Sequence, residues 1–247
     1  MPLAKIAPDL FADLSPEARV QLGASAQTRH LTKGDHLFRC GQVAGHVFLL
    51  VSGAVRLYRE TPEGKVAGLH IVMPGQLLGE TELLEDSGHY STSAEIMESA
   101  RALMFPRAVF RLAMSAHPAL MLNLLQLSAR QVQQMRRDRE QLLTLKASQR
   151  LGCFLMHLCA ERDYAPERFP LPYTKSVLAS GLGMEPETFS RALGQLKGMG
   201  VHLKGREVEM SDMEAMETRI CQACSLSDNC AVRQYLREPE MAMRLVS

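Results

Sequence analysis

The sequence has 247 residues, which is enough for two ordinary domains. Its 46% hydrophobic and 22% charged residues are typical of a globular protein and exclude a long disordered chain. The net charge of +1 neither indicates nor excludes nucleic acid, because a single basic face is enough to bind DNA. No apolar run reaches ~18 residues, and the N-terminus lacks the pattern of a signal peptide. We therefore expect a cytoplasmic protein that has no membrane partner.

The N-terminal half combines a short helical segment with many short strands. Residues 1–30 predict a helical lead-in, in which Ser15-Pro16-Glu17 is a typical helix start. From residue 31 to 106, glycines separate short apolar runs, among them HVFLLVSG, AVRLYRE and VAGLHIVM. Strands at this spacing favour an antiparallel β-roll or jelly roll. We assign residues 1–115 to a β-roll sensor domain.

A long helix is predicted next. Pro118 begins a stretch without further proline or glycine until Gly152. Seven positions in it step by four and three residues, and five of the seven are apolar: Met121, Leu125, Ser128, Val132, Met135, Arg139 and Leu142. This is the pattern of a coiled-coil seam, so we expect residues 116–146 to form the dimerisation helix of a homodimer. The alternative is a helix packed on its own domain.

Residues 147–212 have the element order of a winged helix–turn–helix domain. An amphipathic helix is followed by two helices joined at Gly183, and then by a hairpin around Lys204-Gly205-Arg206. Residues 213–247 form a C-terminal extension, which we expect to be helical and which carries a cysteine cluster. The fold class is thus α+β: an antiparallel β-roll, a long helix, a winged helix–turn–helix and a cysteine-containing tail.

The second helix of the helix–turn–helix carries side chains suited to the major groove of DNA. Phe189, Leu193 and Leu196 predict its buried face, and polar side chains occupy the other face. Arginine can bond the edge of guanine twice, a carboxylate can accept from cytosine, and serine can contact a base or a phosphate. The predicted base-contacting residues are Glu187, Ser190 and Arg191, and the predicted phosphate contacts are Thr174, Thr188, Lys197 and Lys204. The alternative is a solvated helix face with an accidental charge pair.

The segment LPYTKSVLASGLGMEPETFSRALGQLKGMGVHLKGREVEMSD resembles the DNA-binding domain of the Crp/Fnr superfamily. Glu187-Thr188-Phe189-Ser190-Arg191 matches the E-T-x-S-R recognition pattern of its Fnr-like branches. The resemblance implies a dimeric regulator that binds double-stranded DNA at an inverted repeat of TTGA-type half-sites, with RNA polymerase as a further partner of an activator. Pro186 stands where the cAMP-receptor branch has arginine, which favours the Fnr-like operator.

The β-roll also resembles that superfamily, with a difference in its ligand site. Residues 74–80, PGQLLGE, are similar to the segment that enters the phosphate-binding cassette of cyclic-nucleotide binders. The phosphate-binding arginine of those proteins would fall within residues 87–94, SGHYSTSA, which contain neither arginine nor lysine. A buried phosphate without a cationic partner is costly, so we do not expect cAMP or cGMP to bind. Haem is an alternative ligand of the roll, and His70 is a candidate to bind it. His70 alternates with apolar residues along a predicted strand, however, which is also the pattern of an ordinary strand histidine.

The tail contains three of the six cysteines in the spacing C-x2-C-x5-C, at Cys221, Cys224 and Cys230. Thiolates suit zinc or an iron–sulfur cluster, and the absence of a second CxxC favours the cluster. CQACSLSDNC also resembles the cluster-binding segment of Fnr, which implies these three cysteines as ligands of a [4Fe–4S] centre. Cys153 is the first choice for a fourth ligand, with Cys159 or Asp138 as further candidates. The alternatives are a zinc knuckle or reactive thiols in the tail, and ordinary core residues at 153 and 159.

These patterns predict a regulator rather than an enzyme. The sequence contains no nucleophile–base–acid set, no phosphate loop and no HExxH motif. The main hypothesis is a redox sensor whose metal-binding cluster responds to oxygen or nitric oxide and controls DNA binding. One alternative is a regulator with a structural zinc tail and a β-roll that senses haem or another small ligand. The other is a constitutive DNA-binding protein.

Overall fold

A computed structural model of the chain describes residues 3–64, 66–85, 88–161, 168–171, 173–221, 230 and 232. The chain divides into two compact units, Met1–Gln134 and Met135–Ser247. The first unit contains the β-roll and the second contains the helix–turn–helix.

The N-terminal lead-in is shorter than the sequence predicts. It consists of α1 (Leu3–Ile6) and α2 (Pro16–Ala24). The hydroxyl of Ser15 caps α2 by accepting the backbone N–H of Ala18 at 3.1 Å, as its sequence position suggests. The expectation of helical structure up to residue 30 is wrong, because β1 occupies Gln27–Leu31. These residues pair antiparallel with residues 100–104, so a strand distant in sequence supplies their backbone hydrogen-bond partners.

Antiparallel strands form the expected β-roll. After β1 come β2 (His36–Phe38), β3 (His46–Glu60), β4 (Val66–Val72), β5 (Leu77–Leu78), α3 (Glu80–Leu84) and β6 (Ser93–Pro106). The strand order is β1-β6-β3-β4, with β2 also paired to β6 and β5 to β3. Every one of these pairings is antiparallel.

The runs HVFLLVSG and AVRLYRE belong to one continuous strand, β3. Gly53 lies within it with φ at +90°, and the register with β6 shifts on both sides of it. A Cβ at this position would lie 2.7 Å from Cα of Ala100, so only glycine allows β3 and β6 to approach this closely. The strand therefore continues through Gly53 with a shift of register and does not end there.

Two helices follow the roll: α4 (Arg107–Ala116) and α5 (Pro118–Thr144). Near the start of α5, the buried Asn123 side chain donates hydrogen bonds to the carbonyls of Leu10 and Ala12, at 3.2 and 2.8 Å. These bonds fasten the lead-in to α5. Among the described residues, no single helix has both the length and the apolar composition to cross a membrane. Helices α4 and α5 taken together have the required length and apolar composition, but a bend of 111° separates them.

The second unit has the predicted winged-helix order. Its elements are α6 (Ala147–Glu161), β7 (Phe169–Pro170), α7 (Lys175–Gly181), α8 (Pro186–Lys197), β8 (Val201–Lys204), β9 (Glu207–Met210) and α9 (Met213–Ile220). β8 and β9 form the wing, and β7 extends it into a sheet of order β7-β9-β8. Of the tail, α9 is helical as expected, and beyond Cys221 only residues 230 and 232 are described.

The helices of the second unit pack closely at Gly152 on α6. A Cβ on Gly152 would lie 2.2 Å from Cδ1 of Ile220 on α9 and 3.3 Å from Cδ2 of Leu196 on α8. Both neighbours are buried in the core of this unit. The missing side chain thus lets α6, α8 and α9 meet at one point.

Candidate DNA-binding surface, cysteine tail and roll site

The helix–turn–helix has the local chemistry that the sequence predicts. Thr174 caps α7 by accepting the N–H of Val177 at 3.5 Å. Gly183, in the turn, has φ at +62°, a conformation that favours glycine. Pro186 is the first residue of α8, where the backbone needs no N–H donor. Thr174 thus fixes where α7 begins, Gly183 allows the turn that follows α7, and Pro186 fixes where α8 begins.

Helix α8 presents the predicted polar face to solvent. Phe189, Ala192 and Leu196 are buried, and Leu193, which we expected to be buried, is only partly so. Glu187, Ser190 and Arg191 are exposed. The hydroxyl of Ser190 donates to the carbonyl of Pro186 at 2.9 Å, and Nη2 of Arg191 donates to Oγ1 of Thr188 at 3.3 Å. This hydrogen bond holds the Arg191 side chain along the helix, and the remaining N–H groups of its guanidinium are still available to the edge of a base.

The predicted phosphate contacts surround this face at different places in the unit. Thr174 is at the N-terminus of α7, Thr188 is on α8, and Lys197 is the exposed last residue of α8. Lys204 is at the end of β8 in the wing, where its Nζ lies 3.1 Å from a carboxylate oxygen of Glu209. This exposed ion pair is weak, so a phosphate can compete for the lysine.

Two of the three tail cysteines lie at the core of the second unit. Cys221 follows α9 directly and is buried, and Cys230 is half-buried against the same core. Cys224 lies outside the described residues. Sγ of Cys230 lies 3.6 Å from Nε2 of His157 on α6, a contact that sequence reasoning missed. No local pattern links two residues 73 positions apart, so this contact could only be found from the fold.

The candidate fourth ligands lie on α6 and α5. Cys153 and Cys159 are both buried, as small core residues would be. Sγ of Cys153 accepts a hydrogen bond from Nε2 of Gln141 at 3.8 Å. Asp138 is half-buried on α5. Among the described residues, no three histidine, cysteine, aspartate or glutamate side chains converge as a complete metal site would require.

In the β-roll, internal hydrogen bonds occupy the segment that corresponds to the phosphate-binding cassette. The buried carboxylate of Glu82 accepts the backbone N–H of Ser91 at 2.9 Å and its hydroxyl at 2.8 Å. The carbonyl of Ser91 accepts a hydrogen bond from Nε of Arg59 at 2.8 Å. The polar groups of Ser91 are therefore used within the protein. His70, considered above for haem, is half-buried on β4 opposite Leu57.

Glu80, at the start of α3, makes the stability of the roll depend on pH. Burial raises the pKa of its carboxyl from 4.5 to about 7, and a backbone hydrogen bond partly opposes this rise by lowering the pKa. The charge of Glu82 raises the pKa further. Between these two pH values the folded protein keeps a proton that the unfolded chain has lost. The free energy of unfolding should therefore fall as the pH rises from 4.5 to 7, by about 3 kcal/mol at most. Urea unfolding at pH 5 and pH 8 should show this fall, and Glu80→Gln should remove it. An equal fall in the Gln variant would contradict the assignment to Glu80.

Comparisons with known proteins agree with both halves of the fold. Residues 28–117 match the family model of the cyclic nucleotide-binding domain, and residues 149–219 match that of the Crp-like helix-turn-helix domain. The chain is 29% identical over 193 residues to the transcriptional activator protein anr of Pseudomonas aeruginosa, covering 74% of this chain and 76% of that protein. It is 26% identical over 195 residues to the fumarate and nitrate reduction regulatory protein of Salmonella typhi, covering 75% of each.

Solved structures agree with this result. A putative cAMP-binding regulatory protein from Silicibacter pomeroyi is 28% identical to this chain and superposes with a TM-score of 0.61, covering 89% of this chain and 98% of that one. The order of the two matched domains is the order of the β-roll and the winged helix described above. The chain belongs to the Crp/Fnr family and is a DNA-binding transcription regulator.

Proposed function

We propose that the protein is a homodimeric regulator that binds an inverted repeat of TTGA-type half-sites. The observation that carries this proposal is the exposed face of α8, where Glu187, Ser190 and Arg191 stand in the E-T-x-S-R pattern. In this proposal these three residues contact bases. Thr174, Thr188, Lys197 and Lys204 contact phosphates and set the orientation of the helix in the major groove.

The apolar seam of α5 supports the homodimer. All five of its apolar positions are exposed, from 43% for Val132 to 62% for Leu125. A stripe of this kind is buried when a second copy of the helix packs against it. The proposed division is a sensor domain at 1–115, a dimerisation helix at 116–146, a DNA-binding domain at 147–212 and a cysteine extension at 213–247. Such a dimer would act on DNA in the cytoplasm, and as an activator it would contact RNA polymerase.

We further infer that the tail holds a [4Fe–4S] centre. The support is the resemblance of CQACSLSDNC to the Fnr cluster segment, and the donor chemistry of cysteine thiolates. Cys221 belongs to the core that also includes residues of α8, and Cys230 packs against that core, so a group bound there has a sheltered position close to the recognition helix. The ligands from the tail would be Cys221, Cys224 and Cys230. Cys153 remains the first prediction from sequence for the fourth, with Cys159 and Asp138 as further candidates.

The packing around α9 supports a mechanism for control. Cys221 directly follows α9, and α9 meets α6 and α8 at Gly152. The iron–sulfur centre, when bound, would supply sensitivity to oxygen or nitric oxide. Ligation through Cys221 holds α9 against α6, and α6 in turn supports α8. A metal centre that binds only one arrangement of these helices stabilises that arrangement. Loss of the metal would therefore change the fraction of the protein that is in the arrangement able to bind DNA.

One experiment tests this proposal. Protein purified without oxygen should contain iron and acid-labile sulfide in about equal amounts and absorb broadly near ~400 nm. Cys224→Ser should lose the iron and sulfide and, with them, the difference in operator affinity between oxygen-free and air-treated protein. Cys40→Ser is the matched control, since Cys40 is an exposed cysteine of the β-roll. Equal operator binding by loaded and cluster-free protein at fixed salt would contradict control by the cluster.

A second candidate has a specific observation in its favour. The 3.6 Å between Sγ of Cys230 and Nε2 of His157 fits two donors of a single tetrahedral metal ion. In that case the tail is a structural zinc site and the signal is a haem or another small ligand in the β-roll. Zinc without sulfide in the purified protein, or a sharp haem band, would favour this candidate.

A further inference from the structure

The last turn of α5 contacts the turn of the helix–turn–helix through one leucine side chain. Gly183 lies in that turn with φ at +62°, and it has no side chain to fill the space beside it. Leu142 occupies this space, since a Cβ built on Gly183 would lie 3.1 Å from its Cδ2 and 4.0 Å from its Cδ1. Both residues belong to the second unit. The end of the long helix is therefore packed directly against the turn that precedes the recognition helix.

Hydrogen bonds fix the junction between α5 and α6 at the same end of the helix. Leu145 and Lys146 alone separate the two helices. Nη1 of Arg150 donates to the carbonyl of Leu145 at 3.0 Å, and the backbone N–H of Lys146 donates to Oε1 of Gln149 at 2.9 Å. The end of α5 is thus fastened both to α6 and, through Leu142, to the turn before α8. It cannot rotate without disturbing these contacts.

Leu142 is also the last apolar position of the seam proposed for the homodimer. It is 49% exposed, so about half of its surface stays open to solvent although it contacts the turn. In a paired seam, a leucine at such a position packs into a space between side chains of the facing helix. One side chain can therefore contact the second copy and the turn of the helix–turn–helix at the same time.

We propose that Leu142 is a positioning residue, which fixes the two recognition helices of the dimer at the separation that the two halves of the operator require. This inference rests on the proposed homodimer and its inverted repeat. A dimer of this kind reads two half-sites in successive major grooves, so the distance and angle between its recognition helices determine which spacing it binds. Leu142 meets the chain at Gly183, three residues before Pro186 begins α8, so a change in the seam at Leu142 changes the placement of α8.

Two further substitutions provide matched controls. Leu143 is 78% exposed and lies outside the seam spacing. Leu143→Ala therefore removes the same atoms from the same turn of α5 without touching the pair formed by Leu142 and Gly183. Leu142→Met is the conservative variant, because methionine keeps an apolar side chain of similar volume against the turn and in the seam.

The experiment measures how the affinity for DNA depends on the spacing of the half-sites. Wild type, Leu142→Ala, Leu142→Met and Leu143→Ala, each as the full chain, are titrated with the inverted repeat that wild type binds best and with duplexes lengthened by one or two base pairs between the half-sites. Each inserted base pair turns one half-site by about 35° and moves it by about 3.4 Å. Wild type should bind the lengthened duplexes at least roughly tenfold more weakly.

We expect Leu142→Ala to bind the best duplex roughly tenfold more weakly than wild type and to lose most of the penalty for lengthened duplexes, because its recognition helices are no longer held at one separation. Leu142→Met and Leu143→Ala should keep the wild-type penalty. A general loss of stability acts on all duplexes alike. If Leu142→Ala lowered the affinity for every spacing by the same factor, the proposal would be overturned.

Two measurements keep a misfolded or dissociated variant from imitating the expected result. Binding to a duplex with a single half-site reports on the recognition helix alone, and sedimentation at the concentration of the titration reports the fraction of dimer. Leu142→Ala should bind the single half-site as wild type does and should sediment as a dimer. Loss of half-site binding, or of the dimer, in proportion to the loss of operator binding would give Leu142 a structural role only and overturn its positioning role.

The outcomes separate this inference from the proposed function. If wild type is a dimer that prefers one spacing and Leu142→Ala keeps that preference, the homodimer and its operator stand and the role of Leu142 is overturned. If wild type stays monomeric, or binds a single half-site and the inverted repeat equally, the proposed homodimer fails and this inference fails with it.

Discussion

Replacing Arg191 by alanine is expected to weaken binding to the TTGA-type operator by roughly 5- to 150-fold, because a bidentate arginine–guanine pair contributes about 1–3 kcal/mol of discrimination. Arg191 is exposed on α8 and makes one hydrogen bond along the helix, to Thr188, so its removal leaves no cavity in the core. The effect should therefore be on recognition and not on folding. Fluorescence anisotropy with operator duplexes that carry single-base changes would measure it.

Lys197→Ala supplies the comparison that separates base contacts from phosphate contacts. Lys197 is exposed at the end of α8, and its loss should weaken binding to all sequences alike and reduce the salt dependence of binding by about one ion. Arg191→Ala should leave the salt dependence nearly unchanged and make the guanine position tolerant of other bases. If Arg191→Ala weakened specific and non-specific duplexes equally, the arginine would be a phosphate contact and the assignment of base readers would be wrong.

The helix–turn–helix could be predicted in detail because its determinants are local. Gly183 allows the turn, Pro186 begins the recognition helix, and the apolar spacing from Phe189 to Leu196 selects its buried face. Each of these effects acts over a few residues. The long helix after Pro118 could be predicted for the same reason, since an uninterrupted helical pattern is visible in the sequence alone.

The features that sequence reasoning missed depend on distant partners. The strand at Gln27–Leu31 exists because residues 100–104 pair with it, and the joining of two apolar runs into β3 depends on the space that Gly53 leaves beside Ala100. The contact between His157 and Cys230 likewise joins residues far apart in the chain. A pattern limited to neighbouring residues contains no information about such pairs. The cysteine spacing could therefore indicate a metal centre without identifying its fourth ligand.

Gly152 lies where the recognition helix and the first helix of the tail pack together against α6. It lies directly before Cys153 on α6, between Leu196 of α8 and Ile220 of α9. Glycine within a helix is unfavourable by about 1 kcal/mol relative to alanine, so packing must justify its presence. The contact distance at Ile220 provides that reason, since an added Cβ would overlap with Cδ1 at 2.2 Å.

Gly152→Ala is accordingly expected to destabilise the second unit, although it improves helix propensity. Cδ1 is the flexible end of the Ile220 side chain, but Ile220 is buried, so it has little room to turn away from a new Cβ. Overpacking of a buried contact costs about 1–3 kcal/mol, so the loss should outweigh the ~1 kcal/mol gained by the helix over most of that range. Ile220→Val removes the overlapping Cδ1 and by itself costs about 0.5–1.5 kcal/mol. The double variant should then be more stable than the sum of the two single effects predicts, because the new Cβ occupies the space that the lost methyl group leaves. Urea unfolding of all four proteins measures this coupling. Strict additivity would show that Gly152 and Ile220 are not energetically coupled. The proposed path from Cys221 through this contact to the recognition helix would then fail.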